Sequence, residues 1–573
     1  MSRTTRWARL RTGLSVPWLL AILALPAFSQ TQSPAEEEPK ELRSPLVVVN
    51  VASVERMLTD VDWTFATAGR PELSDYVVGL MAQVKDFAGL DRNRPLGVMI
   101  FLSEGLPPTP LPVFFLPVTN LDELAGTLGL GPMKPKKVEG TNNRYELVGR
   151  RQSVHLVQVG TYAYLSPNAE ILEANLPAPD TLVESLADRY DISAAVRLQT
   201  IPQGVRDVFL AFLRANTEAE LQRRDDETTG TYEARRAAGI SNLEFIEQIL
   251  TQCDQLTIGW DASQEKGVGA LEVHFDAAPG SELAENFRTM AVKPSRFNAL
   301  FREDQPLTFS ASWVMNKREQ TGAVGLLKAF SAQMRQEFDK ADGDPFPAVD
   351  RIVTSLGKTV AYGHADFSVQ FAVPEPGRFV LYGGLGLEDA DQFAIGIREL
   401  AQDLQAAGKL EALELNIAEH EGVVFHRFVF KNVGEREQRV YGGIPSLYVG
   451  AGMGALWFAV GNDQTMPHLT AAMDQVTASR SGVQKRTTPM PFQVVIRVSP
   501  WLQLPPEEDD SAVQRREFAE KAFTKDSDAL RIDLRPTENG VRFRVQMDEG
   551  FIRLIGLGVA RQIDQFTGAE AVP

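Results

Sequence analysis

Few residues in this chain are equipped for chemistry. Among its six histidines, His420 and His426 in "HEGVVFHRF" come nearest to a metal-ligand pair. A zinc-protease helix sets two histidines four apart, so that both share one face with a glutamate between them. Here the spacing is six, and Val423 to Phe430 reads as a strand. Two rings six residues apart on one strand are separated by roughly 20 Å at ~3.3 Å per residue, too far to share an ion. Only a chain reversal between His420 and the strand changes that. The expectation is a histidine half-buried beside Phe428.

Two glycine clusters, "GGLGLEDAD" from Gly383 and "GAGMGALWF" from Gly450, raise the question of a dinucleotide loop. Such a loop needs G-x-G-x-x-G between a strand and a helix, with the helix N-terminus facing the pyrophosphate. Gly450, Gly452 and Gly454 have the wrong spacing and precede a strand-like "ALWFAV", which suits a hairpin connection. The chain contains neither a phosphate-binding G-x-x-x-x-G-K-S/T loop nor a G-x-S-x-G nucleophile elbow. The acid runs Asp225 to Glu227 and Glu507 to Asp510 lack the alternating acid and glycine pattern of a calcium loop and read as solvated helix ends. Cys253, the only cysteine, has no histidine nearby in sequence and reads as a small buried side chain. No catalytic, cofactor-binding or metal-ligating residue is assigned, and no cofactor is expected. A site assembled from distant segments stays open.

The segments that would position any such site begin after an export signal. Arg3, Arg6, Arg9 and Arg11 precede an apolar run from Leu14 to Phe28, a pattern that predicts a signal peptide over residues 1–29, cleaved after Ser29. The run contains Pro17 and is shorter than the ~20 residues of a membrane-spanning helix. An acidic, Pro-rich leader over 30–44 follows, and 569–573 form a tail. Removing four arginines from a chain of net charge -17 leaves about -21. That charge disfavours nucleic acid or an anionic membrane surface as a partner. With one cysteine in an exported chain, stability must come from cores rather than disulfides.

Five collinear echoes predict an internal duplication. "GTYAYLSPN" at Gly160 matches "GALWFAVGN" at Gly454, pairing Tyr164 with Phe458 and Asn168 with Asn462 at offset 294. Pro45 matches Pro306, Asp122 matches Asp391, Arg197 matches Arg497 and Asp254 matches Asp528, in the same order. The expected repeats span 45–301 and 302–568. Helix formers and charges near 205–250 predict a long helix, or a hairpin broken near Thr228 to Thr231, that projects from the first repeat. Strands such as "LEVHF" and "VRFRV" alternate with period two, and Ser263 to Gly267 and Thr537 to Gly540 read as hairpin turns. The fold class is α+β, with antiparallel sheets packed against long helices on one side.

The phrases "GLDRNRPLGVMIFL" (Gly89 to Leu102), "PVFFLPVTNLDEL" (Pro112 to Leu124) and "ISNLEFIEQILTQCDQLTIGW" (Ile240 to Trp260) resemble an uncharacterised family of large secreted bacterial proteins, mainly from planctomycetes. The resemblance implies an exported, periplasmic or extracellular protein and supplies no functional residues. The expected function is non-enzymatic binding or scaffolding in the cell envelope. The alternatives are a carrier of an apolar or envelope-derived ligand and a hydrolase with a dispersed site.

Overall fold

Short runs of alternating polar and apolar side chains dictate strands, and the described residues form twenty of them. All are joined antiparallel into one sheet and accompanied by fourteen α-helices, a mixed α+β architecture. The computed structural model describes residues 44–567 except 84, 104, 106, 107, 131, 132, 151, 226, 339–345, 432, 482–489, 505–509 and 525. The expected signal peptide, all but the last residue of the leader, and the tail lie outside the described residues.

The chain opens with β1 (Val47–Val51), α1 (Val54–Thr67), α2 (Glu72–Gln83), β2 (Leu96–Leu102), β3 (Pro110–Pro117) and α3 (Leu121–Leu128). A meander follows: β4 (Lys134–Lys137), β5 (Arg144–Val148), β6 (Ser153–Val159) and β7 (Tyr162–Ser166). Next come α4 (Pro179–Ala187), β8 (Ile192–Arg197), α5 (Gln203–Glu220), α6 (Thr229–Gln252), β9 (Cys253–Ser263), β10 (Val268–Ala277) and α7 (Glu282–Thr289). The second half runs β11 (Leu307–Val314), α8 (Lys317–Phe338), α9 (Phe346–Tyr362), β12 (His364–Glu375), β13 (Arg378–Gly386) and α10 (Ala390–Ala406). It continues through β14 (Leu410–His420), β15 (Val423–Phe430), α11 (Glu435–Tyr441), β16 (Ser446–Gly452), β17 (Ala455–Gly461) and α12 (Thr465–Ser481). It closes with β18 (Phe492–Arg497), α13 (Asp510–Ala522), β19 (Ala529–Pro536), β20 (Gly540–Asp548) and α14 (Glu549–Thr567).

Across the sheet the first ten strands lie in the order β4-β5-β6-β7-β3-β2-β1-β8-β9-β10. The last ten repeat that order with every strand number raised by ten. Matching hydrogen bonds mark matching places: Arg197 N–H donates to the Leu46 carbonyl at 2.8 Å and Arg497 N–H to that of Pro306 at 3.0 Å. In the β6–β7 turn Gly160 has φ 61°, and in the β16–β17 turn Met453 and Gly454 have φ 57° and 71°. The two hairpins superpose by register with Val159 opposite Tyr162 and Gly452 opposite Ala455, which puts Trp457, not Phe458, at the place of Tyr164. A slip of one residue reverses the face. The asparagines nonetheless do equivalent work, since Asn168 Oδ1 accepts from the N–H of Glu170 (2.8 Å) and Asn462 Oδ1 from that of Gln464 (3.0 Å).

Among the described residues β4 pairs only with β5 and β14 only with β15, so these strands are the sheet's free edges. β4 reads Lys134-Pro135-Lys136-Lys137 and is exposed throughout. The β14 register breaks between Glu414 and Ala418, where Asn416 takes φ 56°.

The halves interlock beyond the repeat boundary read from sequence. Phe297 and Leu300, assigned by sequence to the first repeat, are buried in the second-half core with Val380, Trp457 and Met473. In the other direction α14 crosses onto α1 and α2: Phe65 and Leu73 pack with Ala560. A Cβ on Gly556 would stand 2.6 Å from the Thr64 carbonyl oxygen, and Arg70 holds Asp564 through two bonds of 2.9 Å. The insertion is a hairpin of α5 and α6, broken over 221–228, where Thr228 Oγ1 accepts from Thr231 N–H at 3.2 Å. It does not project freely. Gly230 and Ala237 of α6 abut Ala332 and Gly325 of α8, and Ile249 and Leu250 enter the core around Cys253.

One strand pair joins the halves. β10 and β20 run side by side from Val268↔Asp548 to Asp276↔Gly540, with Glu272 opposite Arg544 at the centre. The Glu272 carboxylate is buried, accepts from the Tyr190 hydroxyl at 2.8 Å, and faces the guanidinium groups of Arg544 (3.3 Å) and Arg542 (3.8 Å). Removing one member of a buried charge group leaves the others uncompensated, at a cost of about 3 to 5 kcal/mol. Glu272→Ala is expected to lower stability by about 3 kcal/mol in denaturant unfolding, and Glu272→Gln by less because the amide still accepts from Tyr190.

Candidate functional site: an open apolar sheet face

The period-two pattern assigns each strand a polar face and an apolar face, and the ordinary outcome is that the apolar one is buried. In the central strands the reverse holds. Ile192, Ile258 and Leu271 are 40%, 38% and 38% exposed, while their chain neighbours Ser193, Thr257 and Glu272 are 2%, 4% and 5% exposed. The second half follows suit: Thr308, Ser310 and Ser312 of β11 and Asp366, Ser368 and Gln370 of β12 are buried. Phe309, Trp313, Phe367, Val369 and Phe371 on the opposite side are half-buried. Helices lie on both faces, so the one-sided cover read from sequence is corrected.

Much of the buried polar side finds partners, although Asn50 Nδ2 and the Nε atoms of Arg542 and Arg544 have none among the described residues. Ser193 donates to Asn50 Oδ1 (2.6 Å), Thr308 to the Arg302 carbonyl (2.7 Å), Ser312 to the Lys293 carbonyl (3.2 Å) and Tyr382 to Gln370 Oε1 (2.6 Å). Two of these acceptors, the Lys293 and Arg302 carbonyls, belong to residues 293–302, which cross this face, so the hydroxyls of β11 bind the covering strap. Tyr190 covers the corresponding part of the first half, its ring where a Cβ on Gly259 would fall.

The apolar side is walled by helices and open between them. Ile552 of α14 sits over Gly269 at one end of β10, and Leu283 and Phe287 of α7 pack on Phe275 and Val541 at the other. Leu271 and Val273 lie between, in a gap of six residues from Gly269 to Phe275, roughly 20 Å at the rise of a strand. Across the strands the face continues through the half-buried Val545 and Ile532 and the buried Val494 to the half-buried Phe309, each register partner of the last. From β8 to β12 that is eight strands, about 34 Å at ~4.8 Å each. The second-half end is aromatic, with Phe492, Phe309, Phe367 and Phe458 in a row at successive centroid distances of 5.3, 5.5 and 6.1 Å. Such a surface can take up apolar chains or rings; it offers no group for acid, base or nucleophilic work.

A charged knot stands at one rim, next in sequence to Ile192 and Trp260. Arg56 of α1 pairs with Asp191 and, at 3.0 Å, with Asp261, and donates to the Ala187 carbonyl at 3.0 Å. Asp191 also accepts from Ala262 N–H at 2.6 Å. Burial, then the charge of Asp191, pushes the Asp60 carboxyl up to about 7, and burial also raises Asp191. Converging carboxylates are what a dispersed hydrolase needs, but Arg56 and Asp191 spend their polar atoms on one another and on backbone, which ties α1 to β8 and β9.

The residues singled out from sequence fall elsewhere. His420 ends β14 and faces Val423 across a tight turn, so the chain does reverse there. Three residues on, His426 lies on the opposite face, where its Nδ1 accepts from Asn416 N–H at 3.1 Å and burial lowers its basicity. The two histidines are not brought together. Gly383 and Gly384 lie inside β13 where Phe297 and neighbouring backbone leave no room for a Cβ, and Gly450 lies beneath Phe425. Glu227 pairs with Arg235 (2.7 Å), which lowers its carboxyl to about 2. Asp226 and Glu507 to Asp509 lie outside the described residues, and Asp510 opens α13. Cys253 is fully buried, its thiol donating to the carbonyls of Gln255 and Asp276 (3.3 Å each), and burial pushes it up to about 12. Among the described residues no helix is long and apolar enough to cross a membrane.

No protein-family model, curated protein or solved structure matches this chain.

The Asp60 carboxyl supplies a signed pH dependence. A carboxyl that holds its proton to about pH 7 when folded, but only to about pH 4 when unfolded, supports the fold fully below pH 4. That support is lost as pH rises to 7. Asp60→Asn is therefore expected to match the parent near pH 4 and exceed it at pH 8, by on the order of 2 kcal/mol after allowance for partial exposure, in thermal or denaturant unfolding at the two pH values.

Proposed function

We propose that this chain is an exported, non-enzymatic binding protein built by internal duplication, whose two halves share one apolar sheet face that holds an apolar or envelope-derived ligand, an acyl chain above all. The single observation behind the reading is the inverted burial of the central strands. A soluble protein rarely leaves a contiguous apolar surface open without an apolar occupant. The repeated strand order and the paired turns support the duplication, and the arginine-flanked apolar run at the N-terminus supports export.

The open face and the knot at its rim suit an amphiphile better than a free hydrocarbon, with the chain along Ile258, Leu271 and Phe309. The arm supports a narrower second reading, a protein partner in the envelope: Val208, Phe209 and Phe212 form a stripe on the exposed side of α5.

Native mass spectrometry of protein recovered from an envelope extract is expected to show added mass that organic extraction identifies as acyl lipid, and a fluorescent fatty acid should bind the delipidated protein. Ile258→Glu with Leu271→Lys should weaken that binding about tenfold or more while leaving the circular dichroism and unfolding midpoint nearly unchanged, because both side chains are already exposed. Unchanged affinity in a folded double variant would sink the proposal.

A further inference from the structure

The histidine that the sequence matched with His426 finds other company. His420 Nε2 and Asp474 Oδ1 are 2.7 Å apart, and Glu421 stands beside them, so that one donor atom from each residue lies within 4.8 Å of the others. Among the described residues this is the one group of three or more histidine, cysteine or carboxylate side chains gathered so closely. We infer that His420, Glu421 and Asp474 form a binding site for a divalent transition metal, zinc by preference.

Two features set this cluster apart from ordinary surface acids. The first is its frame. Glu421 and Gly422 both take the left-handed conformation, φ 50° and 73°, as a two-residue hairpin turn requires, and this fixes Glu421 next to His420 at the tip of β14 and β15. Asp474 rides on α12, whose Leu469, Met473 and Val476 are fully buried in the second-half core, so its backbone is held.

The second is charge. Asp366, Asp528 and Asp564 each lie against an arginine, whereas neither Glu421 nor Asp474 forms an ion pair with a lysine or arginine among the described residues. Two carboxylates and one imidazole offer a nitrogen and two oxygens, a donor set zinc accepts at about 2.0 to 2.2 Å per bond, with a fourth position for water. Donors each about 2.1 Å from one tetrahedral ion stand about 3.4 Å apart, so the carboxylates must turn to close a present spread of up to 4.8 Å. A bound ion would clamp the β14–β15 hairpin tip to α12.

Isothermal titration of the chelator-treated protein with zinc chloride tests this. The expected result is one saturable site per chain, accompanied by a rise in unfolding temperature. His420→Ala and Asp474→Asn should each weaken binding by more than the roughly tenfold that loss of an outer partner can cost, while His426→Gln leaves it intact. Glu421→Gln, at an exposed turn, should weaken binding without altering the fold and so separates ligand loss from misfolding. Absence of a saturable site, or equal affinity in the folded Glu421 and Asp474 variants, overturns the assignment.

Discussion

Everything else in the molecule depends on the antiparallel contact between β10 and β20. Without it there are two ten-stranded sheets, each ending in a strand whose backbone donors and acceptors face water. With it there is one surface with a continuous hydrogen-bonded ladder. Placing Glu272 at the centre makes the contact selective: one buried carboxylate must meet Arg542 and Arg544 from the other half and Tyr190 from its own. A slip of one residue would turn those guanidinium groups to the apolar side. The charge group thus sets register as well as contributing attraction, and α14, bound to the link between α1 and α2 by Asp564 and Arg70, supports the same alignment from a second direction.

Given that alignment, the burial of the polar side follows from local causes. The residues between α7 and β11 lay backbone carbonyls over the serines and threonines of β11, and Tyr190 covers Gly259 and reaches Glu272. These contacts are directional and short-ranged, so they favour small hydroxyl side chains. Aromatic and aliphatic residues are then left to the other side, where α7 and α14 reach the two ends of β10 and not its middle.

Much of this was legible in the sequence. The strands of "LEVHF" and "VRFRV" alternate as read, the turns fall at Gly267 and Thr537, and the arm breaks just before Thr228. Alternation, however, says only that two faces differ. Which face is covered depends on the strap at 293–302 and on Tyr190, neither of which carries a periodic signal. The same limit applies to the hairpin echo, where matching by residue type set Tyr164 against Phe458, one place from its register partner. His420 was visible as a potential ligand. Its neighbours were not, because Asp474 lies 54 positions away on a helix, brought close only by the packing of α12.

The two free edges also bear on how such a protein survives at high concentration. A twenty-stranded sheet is a template for endless lateral growth, copy upon copy, and a chain with one cysteine has no disulfide to restrain it. β4 presents lysines and a proline that lacks the N–H a new ladder would need, while β14 is interrupted by the left-handed Asn416. One edge is cationic, and the other carries Glu411, Glu414 and Glu419, so the ends attract by charge yet cannot knit by backbone. Fibre formation is thereby blocked at both ends of the ribbon, and the broad apolar face can stay available without the molecule becoming amyloid.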